Sequence, residues 1–178
     1  MYSKNFSKAI DTVLKHEGGY NDIVGDAGGP TNFGVTLTTI TSLKKDLNHD
    51  GRIDKLDIKS MTKQQAIDIY WDCYWKASYD ALPIKTCVKV FDTAVNTGNN
   101  QAHKFLQRAL NNLGSKLVDD GVIGQVTIAE IKKYSDLDIV KQFGVEQLEF
   151  YKGLVAKKPI LKKFLAGWTN RANAIPNV

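Results

Sequence analysis

The chain has 178 residues, 43% of them hydrophobic, and a formal net charge of +5. A chain of this length can bury one good hydrophobic core, so we expect a single domain and a monomer. The sequence shows no signal-peptide pattern and no segment long and apolar enough to span a bilayer. The positive charge favours anionic partners, but no zinc, helix-turn-helix or single-strand-binding motif points to nucleic acid.

The N-terminal segment predicts an amphipathic helix that ends in a carboxylate. Apolar residues recur there at helical spacing, namely Phe6, Ala9, Ile10, Val13 and Leu14. Glu17 follows Ile10 by two helical turns and falls on the same face, and Gly18 and Gly19 end the helix. Burial and the negative end of the helix would both keep the Glu17 carboxyl protonated, as a general acid requires. The alternative is an exposed Glu17 in the last turn whose aliphatic stem covers the core.

The segment that follows carries a second carboxylate. Asp26 comes nine residues after Glu17, in a loop that glycine and proline bend tightly. Thr31 or Asn32 offers a hydroxyl or an amide close to this loop. The alternation of apolar with small or polar residues over 33–37 predicts a short strand or hairpin. An acid at a helix end, followed by a compact loop with another acid, suits a two-carboxylate sugar hydrolase.

These motifs resemble a known enzyme family. The run from Glu17-Gly-Gly-Tyr20 to Asp26-Ala-Gly-Gly-Pro-Thr31-Asn-Phe-Gly34 is similar to phage and bacterial N-acetylmuramidases of glycoside hydrolase family 108. Later stretches also match, at residues 74–75, 91–98, 120–127 and 167–171. The resemblance implies a mainly α, lysozyme-like α+β fold, in which a helical bundle surrounds a central helix and a small hairpin lies beside the active site. It also implies cleavage of the peptidoglycan sugar backbone, with Glu17 as the acid.

The resemblance divides the chain into a catalytic half, about 1–98, and a C-terminal helical half, about 99–178, that resembles a peptidoglycan-binding segment. We interpret Asp26 as a group that orients a water molecule or stabilises positive charge on the sugar ring, and Thr31 as a group that helps to position the water. The candidates for binding substrate are Tyr20, Asn32, Trp75 and Asn96. Whether the reaction retains or inverts the anomeric configuration stays open, because the sequence does not give the separation of the carboxyl groups.

Two of these binding candidates have structural alternatives. Trp75 and Trp71 lie four residues apart on a predicted helix, so both rings could pack in the core instead of forming a platform for sugar rings. Asn96 follows Asp92 by one helical turn. This pair could hydrogen-bond the active-site backbone instead of contacting sugar.

Residues 46–57 follow the calcium-loop pattern of an EF-hand. Oxygen-bearing side chains occupy loop positions 1, 3, 5, 9 and 12, namely Asp46, Asn48, Asp50, Asp54 and Asp57. Gly51 at position 6 permits the sharp turn, and Arg52 at position 7 would contribute its backbone carbonyl. Asp57 replaces the usual glutamate, as in the dockerin version of the loop. We expect one structural Ca²⁺ ion and no organic cofactor; the alternative is a solvated turn rich in Asp and Asn.

Capping residues and apolar periodicity predict the remaining elements. Thr36 would cap the next helix, and two capping boxes are expected, at Thr62-x-x-Gln65 and Thr127-x-x-Glu130. Helices are expected over residues 37–47, 62–77, 88–97, 102–113, 136–155 and 161–175. The last of these is basic, which predicts either a solvated face or contact with an anionic membrane or cell wall.

The leading functional hypothesis is a muramidase, specifically a phage endolysin made in the cytoplasm of the bacterial host and acting on the cell wall after release. Its partners would be peptidoglycan and other anionic components of the cell wall or outer membrane. The competing hypothesis is a non-catalytic cell-wall-binding or secretion-associated protein with the same fold. Action on chitin-like polymers is a third hypothesis, because the same acid chemistry serves both polymers.

Overall fold

The part of the chain that the structure describes is mainly helical and contains a small hairpin. The computed structural model describes residues 1–16, 19–21 and 29–178, and for residues 15 and 16 the backbone alone. Within these residues the α-helices are α1 (Lys4–His16), α2 (Leu37–Ser42), α3 (Lys55–Ser60), α4 (Lys63–Tyr74), α5 (Ile84–Thr97), α6 (Asn99–Asn112), α7 (Gln125–Ile131), α8 (Asp136–Lys157) and α9 (Leu165–Asn173). Two 3₁₀ helices span Ala77–Ala81 and Pro159–Phe164. The predicted fold class, mainly helical with a small hairpin, is confirmed. Among the described helices, none has the length and apolar character needed to cross a bilayer.

The described residues form two compact units. The N-terminal unit comprises Tyr2 and Ile10–Cys73, and the C-terminal unit comprises Met1, Ser3–Ala9 and Tyr74–Val178. Helix α5 therefore belongs to the same unit as all the helices that follow it. The expected division into a catalytic half and a C-terminal half near residue 98 stays a prediction.

A two-stranded antiparallel hairpin lies in the N-terminal unit. Its strands are β1 (Thr31–Asn32) and β2 (Val35–Thr36). Phe33 and Gly34 form the turn with φ values of 49° and 76°, as in the two-residue turns whose twist suits a hairpin. Gly34 adopts this conformation without steric cost, which fixes the turn at this point of the sequence. The hairpin packs against α2 and α3 and buries Val35.

Two of the predicted helix caps are confirmed in this unit. The Thr36 hydroxyl accepts a backbone N–H from three residues further on, at 3.1 Å. Thr62 and Gln65 form a reciprocal capping box at the start of α4, with N···O distances of 2.8 and 3.2 Å. Helix α2 is shorter than predicted, because Lys44 has a φ of 53° that a right-handed helix cannot continue.

The capping box predicted at Thr127 and Glu130 is wrong. Helix α7 begins two residues before Thr127, and the Thr127 hydroxyl donates to the carbonyl of Val122 at 3.3 Å. The Glu130 carboxylate instead accepts a hydrogen bond from Ser115 at 2.7 Å. Thr127 therefore lies inside the helix and cannot act as its N-cap.

Helix α5 is the most buried element of the C-terminal unit. Nine of its 14 residues are buried, and α6 and α8 pack against it, while α9 packs against α8. Helix α5 therefore lies among its neighbouring helices and not on the surface of this unit. Edge-to-face ring contacts extend this core, with centroid distances of 5.1–5.6 Å among Phe6, Trp75, Tyr79 and Phe91.

Lys89 is a buried cation on α5, at 3% exposure. Its ammonium donates to the carbonyls of Arg171, Ala172 and Ala174 at 2.7, 2.7 and 3.2 Å. These carbonyls lie at the C-terminal end of α9, where backbone acceptors lack helical partners. Burial lowers the pKa of Lys89 to about 8, although the nearby Asp92 carboxylate acts in the opposite direction.

Arg171 on α9 joins two polar groups of α5. Its guanidinium donates to both carboxylate oxygens of Asp92, at 2.9 and 2.8 Å, and to the amide oxygen of Asn96 at 2.7 Å. The Asp92 side chain is only 8% exposed and that of Arg171 21%. This bidentate contact depends on the planar guanidinium of arginine, which the ammonium of a lysine cannot reproduce.

We expect Arg171→Lys to lower the free energy of unfolding by about 2 kcal/mol, because it leaves a nearly buried carboxylate with a poorer partner. Arg108→Lys is the matched control, since Arg108 pairs with Asp119 at the surface and both side chains are more than 40% exposed. The control should change stability by less than about 0.5 kcal/mol. Urea unfolding of the full chain measures both values. Equal losses in the two variants would contradict the structural role given to Arg171.

Candidate functional site

Of the three predicted catalytic residues, Thr31 is the one that the structure describes. Glu17 and Asp26 lie outside the described residues. Thr31 exchanges two backbone hydrogen bonds with Asn21, both at 2.8 Å, and pairs with Thr36 across the hairpin. Within the described residues the Thr31 hydroxyl has no hydrogen-bond partner, so it can bind a water molecule or substrate. Backbone pairing on either side thus fixes the main chain of Thr31, a residue that is half-buried.

Asn32 and Tyr20 occupy different environments. Asn32 is 6% exposed, and its amide donates to the backbone carbonyl of Ile58 at 2.9 Å, which ties the hairpin to α3. Tyr20 is 40% exposed. A role for either residue in binding substrate stays a prediction, and the observed hydrogen bond gives Asn32 a structural role as well.

Trp75 belongs to the aromatic core of the C-terminal unit. It is 6% exposed, and its indole packs edge-on against Phe6, Tyr79 and Phe91. These contacts match the core-packing alternative, because a ring enclosed in this way presents no open face to a sugar. In the N-terminal unit, Trp71 packs on Tyr2 with ring centroids 5.3 Å apart.

Asn96 takes part in the polar contacts that join α5 to α9. Its amide donates to the backbone carbonyl of Asp92 at 2.8 Å and accepts from Arg171. The grouping of Asp92 with Asn96 was predicted from their spacing, but Arg171, which binds both, was not. Arg171 lies 75 residues from Asn96 in sequence, so helical periodicity gives no signal for this partner. Direct contact of Asn96 with sugar stays a prediction.

The predicted calcium loop is closed by hydrogen bonds to its own backbone. Asp46 accepts the N–H groups of His49 and Gly51 at 2.7 and 2.8 Å. Asn48 and Asp50 each accept the N–H two residues further on, at 3.0 and 2.9 Å. His49 and Gly51 have φ values of 62° and 86°, so the chain turns sharply at both. The side-chain oxygens thus hold the backbone of this loop in its turns.

Asp57, the predicted final ligand, is fully buried. Its two oxygens accept the N–H groups of Leu47, Asn48 and Asp54 at 2.7, 3.2 and 2.8 Å. Burial alone would raise the pKa of Asp57, but the backbone hydrogen bonds outweigh it and hold the pKa below its ordinary value. In the part of the chain that the structure describes, no three His, Cys, Asp or Glu side chains are grouped to hold a metal ion. The ligand types therefore fit calcium, but their convergence on one ion is not formed in this conformation, and calcium binding stays a prediction.

The loop of residues 119–125 is held tightly by side chains of α6. Gln107 accepts the N–H of Gly121 at 2.8 Å and donates to Asp120 and to the carbonyl of Val122. His103 contacts the carbonyl of Gly121 at 2.8 Å. Gly121 has a φ of 79°, and a Cβ there would lie 2.3 Å from the Asn100 side chain and 3.0 Å from its backbone oxygen, so only glycine fits. The glycine motif seen in the sequence thus has a definite structural cause.

Comparison with known proteins covers nearly the whole chain. Residues 10–98 match the family model described as Glycosyl hydrolase 108, and residues 101–173 match the one described as Predicted Peptidoglycan domain. A solved structure titled "Structure of Brucella abortus SagA" is 34% identical in sequence and has a TM-score of 0.75. The match covers 94% of this chain and 88% of that chain. No curated protein matches the chain.

These findings agree with the resemblance seen in the sequence motifs. One family model matches half of the chain, and the match to the SagA structure extends over almost all of it. The chain belongs to glycosyl hydrolase family 108 and is a glycoside hydrolase with a predicted peptidoglycan-binding domain.

Proposed function

We propose that the protein is an N-acetylmuramidase that cleaves the glycan backbone of bacterial peptidoglycan, with Glu17 as the general acid. The observation that carries this proposal is the presence of two matches in one chain, a glycosyl hydrolase family over residues 10–98 and a peptidoglycan domain over residues 101–173. The second match supports peptidoglycan as the polymer on which the first would act. A further part of the proposal, that the enzyme is a phage endolysin for host lysis, stays a prediction from the sequence resemblance.

The proposed chemistry divides among three residues. Glu17 would protonate the glycosidic oxygen as the bond to the leaving sugar breaks. Asp26 would either orient the attacking water or stabilise the positive charge that develops on the sugar ring. Thr31 would position that water, and its hydroxyl on a backbone fixed by Asn21 and Thr36 supports this role.

Replacing the proposed acid tests the enzymatic assignment. We expect Glu17→Gln to lower the rate of release of new reducing ends from purified peptidoglycan by about 10³-fold, because an amide cannot donate the proton. The matched control is Glu149→Gln, at a side chain that is 62% exposed and pairs with Lys152 at the surface. The control should keep its activity. An unchanged rate in Glu17→Gln would defeat the assignment of Glu17 and favour a protein that only binds the cell wall.

The role of Thr31 is tested by removing its hydroxyl while keeping its shape. We expect Thr31→Val to lower kcat by about 10²-fold with little change in thermal stability, because valine suits a strand and the lost group acts only on water. Thr38→Val, at an exposed position of α2, is the control and should retain kcat. A kcat for Thr31→Val within a factor of two of the wild type would remove Thr31 from the proposed mechanism.

We also propose that residues 46–57 bind one calcium ion that stabilises the fold and takes no part in the chemical step. The support is the register of oxygen donors in the sequence, from Asp46 to Asp57. Binding would require the Asp57 carboxylate to exchange its backbone hydrogen bonds for the ion.

Melting curves test this calcium proposal. Calcium should raise the Tm of the wild type above its value in a chelator, since a ligand that binds only the folded state stabilises it. The gain should be lost in Asp46→Asn and kept in Asp11→Asn, which lies outside the loop. Identical wild-type melting curves with calcium and with chelator would count against the site.

A further inference from the structure

A groove of about 370 Å³ opens on the C-terminal unit. One side is formed by residues 116–118 and the other by residues 120–127. The whole groove lies within the segment that matches the peptidoglycan domain, residues 101–173. That match does not say which surface binds the polymer or which part of the polymer is bound.

The rim of the groove is apolar and unusually exposed. Val118, Val122 and Val126 line it and are 78%, 61% and 70% exposed. No part of the described fold buries these three side chains. Exposed apolar side chains that line one groove are typical of a binding site.

The same groove carries one positive and one negative group. The Lys116 ammonium makes no hydrogen bond or ion pair within the described residues. Asp120 uses one carboxylate oxygen to accept from Gln107 and from the N–H of Val122, both at 2.8 Å, and its other oxygen has no partner among the described residues. The hydrogen bond from Gln107 lowers the pKa of Asp120, so this carboxylate is charged at neutral pH.

Both sides of the groove are anchored to α6 before any ligand arrives. Gln107 holds the loop at Gly121 and Val122. One turn further along α6, Asn111 exchanges two hydrogen bonds with the backbone of Leu117, at 2.8 and 2.7 Å. A site held in this way loses little conformational entropy on binding.

The chemistry of the groove distinguishes between the two components of peptidoglycan. Sugar rings are commonly bound by stacking on aromatic side chains, and none of the residues that line this groove is aromatic. The peptide stem, in contrast, carries alanine methyl groups, an amine and free carboxylates. The valine methyls complement the alanine methyl groups, Asp120 complements the amine, and Lys116 complements the carboxylates.

We propose that this groove binds the peptide stem of peptidoglycan. The proposal rests on the proposed function in that both take peptidoglycan as the target polymer. It assigns the recognition of the peptide to the C-terminal unit and names Val126, Lys116 and Asp120 as residues that contact it.

The test uses the full-length chain and the synthetic pentapeptide L-Ala–γ-D-Glu–meso-diaminopimelate–D-Ala–D-Ala, which contains no glycosidic bond. Titration calorimetry should show binding by the wild type, and Val126→Glu and Lys116→Glu should each weaken it by about tenfold or more. The matched controls are Val145→Glu, at an exposed valine on α8, and Lys132→Glu, at an exposed lysine. Both controls should bind within about twofold of the wild type, and melting curves should show that all four variants are folded.

Three outcomes would overturn the inference. The first is the absence of pentapeptide binding in a wild-type protein that still hydrolyses peptidoglycan. The second is equal weakening in the groove variants and the controls. A wild type that binds the pentapeptide but releases no reducing ends from peptidoglycan would instead overturn the proposed function and leave the groove assignment standing. The third overturning outcome concerns the Glu17→Gln variant and peptide-free glycan chains. If this variant bound the glycan but not the pentapeptide, and if adding Val126→Glu abolished glycan binding, the groove would bind sugar.

Discussion

The burial of two charged residues on α5 constrains the rest of the C-terminal unit. Lys89 and Asp92 can be buried only if other groups satisfy them, because an unpaired charge in a protein interior is very costly. The partners come from the C-terminal end of the chain. The Arg171 guanidinium binds Asp92, and three backbone carbonyls at and just beyond the last turn of α9 bind Lys89. Helix α5 belongs to the glycosyl hydrolase match and α9 to the peptidoglycan match. The two family segments therefore share a hydrophobic core and a set of buried polar contacts within one unit.

This arrangement explains how the groove that we propose as a binding site can be rigid in a small protein. Helix α6 packs against α5 and α8 through its apolar face and holds the groove loops through Gln107 and Asn111. The position of the groove is thus set by the same helices that enclose α5. In the N-terminal unit the hairpin serves a comparable purpose, since paired backbone on both sides fixes Thr31. Both proposals place function on side chains whose backbone is already ordered.

Local patterns predicted much of the secondary structure, but they did not predict contacts between residues far apart in the sequence. The starts of α2 and α4 were predicted from Thr36 and from the Thr62–Gln65 capping box. Such signals can be read from sequence because a capping residue lies within one turn of the backbone groups that it binds. The capping box at Thr127 failed because α7 begins two residues earlier, at Gln125, so Thr127 lies inside the helix and its hydroxyl donates to the carbonyl of Val122. Lys89 was not predicted as a core residue, since its acceptors lie more than 80 residues away and a lone lysine on an amphipathic helix usually faces solvent. The contact of Asn96 with Arg171 could not be read from spacing either, because these residues lie 75 positions apart.

The central claim is that this glycoside hydrolase cuts the glycan backbone of peptidoglycan at muramic acid. Mass spectrometry of peptidoglycan fragments, after digestion by the wild type and reduction with borohydride, tests it most directly. The account predicts that reduced N-acetylmuramic acid forms the new chain ends, and that these ends are absent after digestion with Glu17→Gln. New ends formed by reduced N-acetylglucosamine, or no new ends at all, would contradict it.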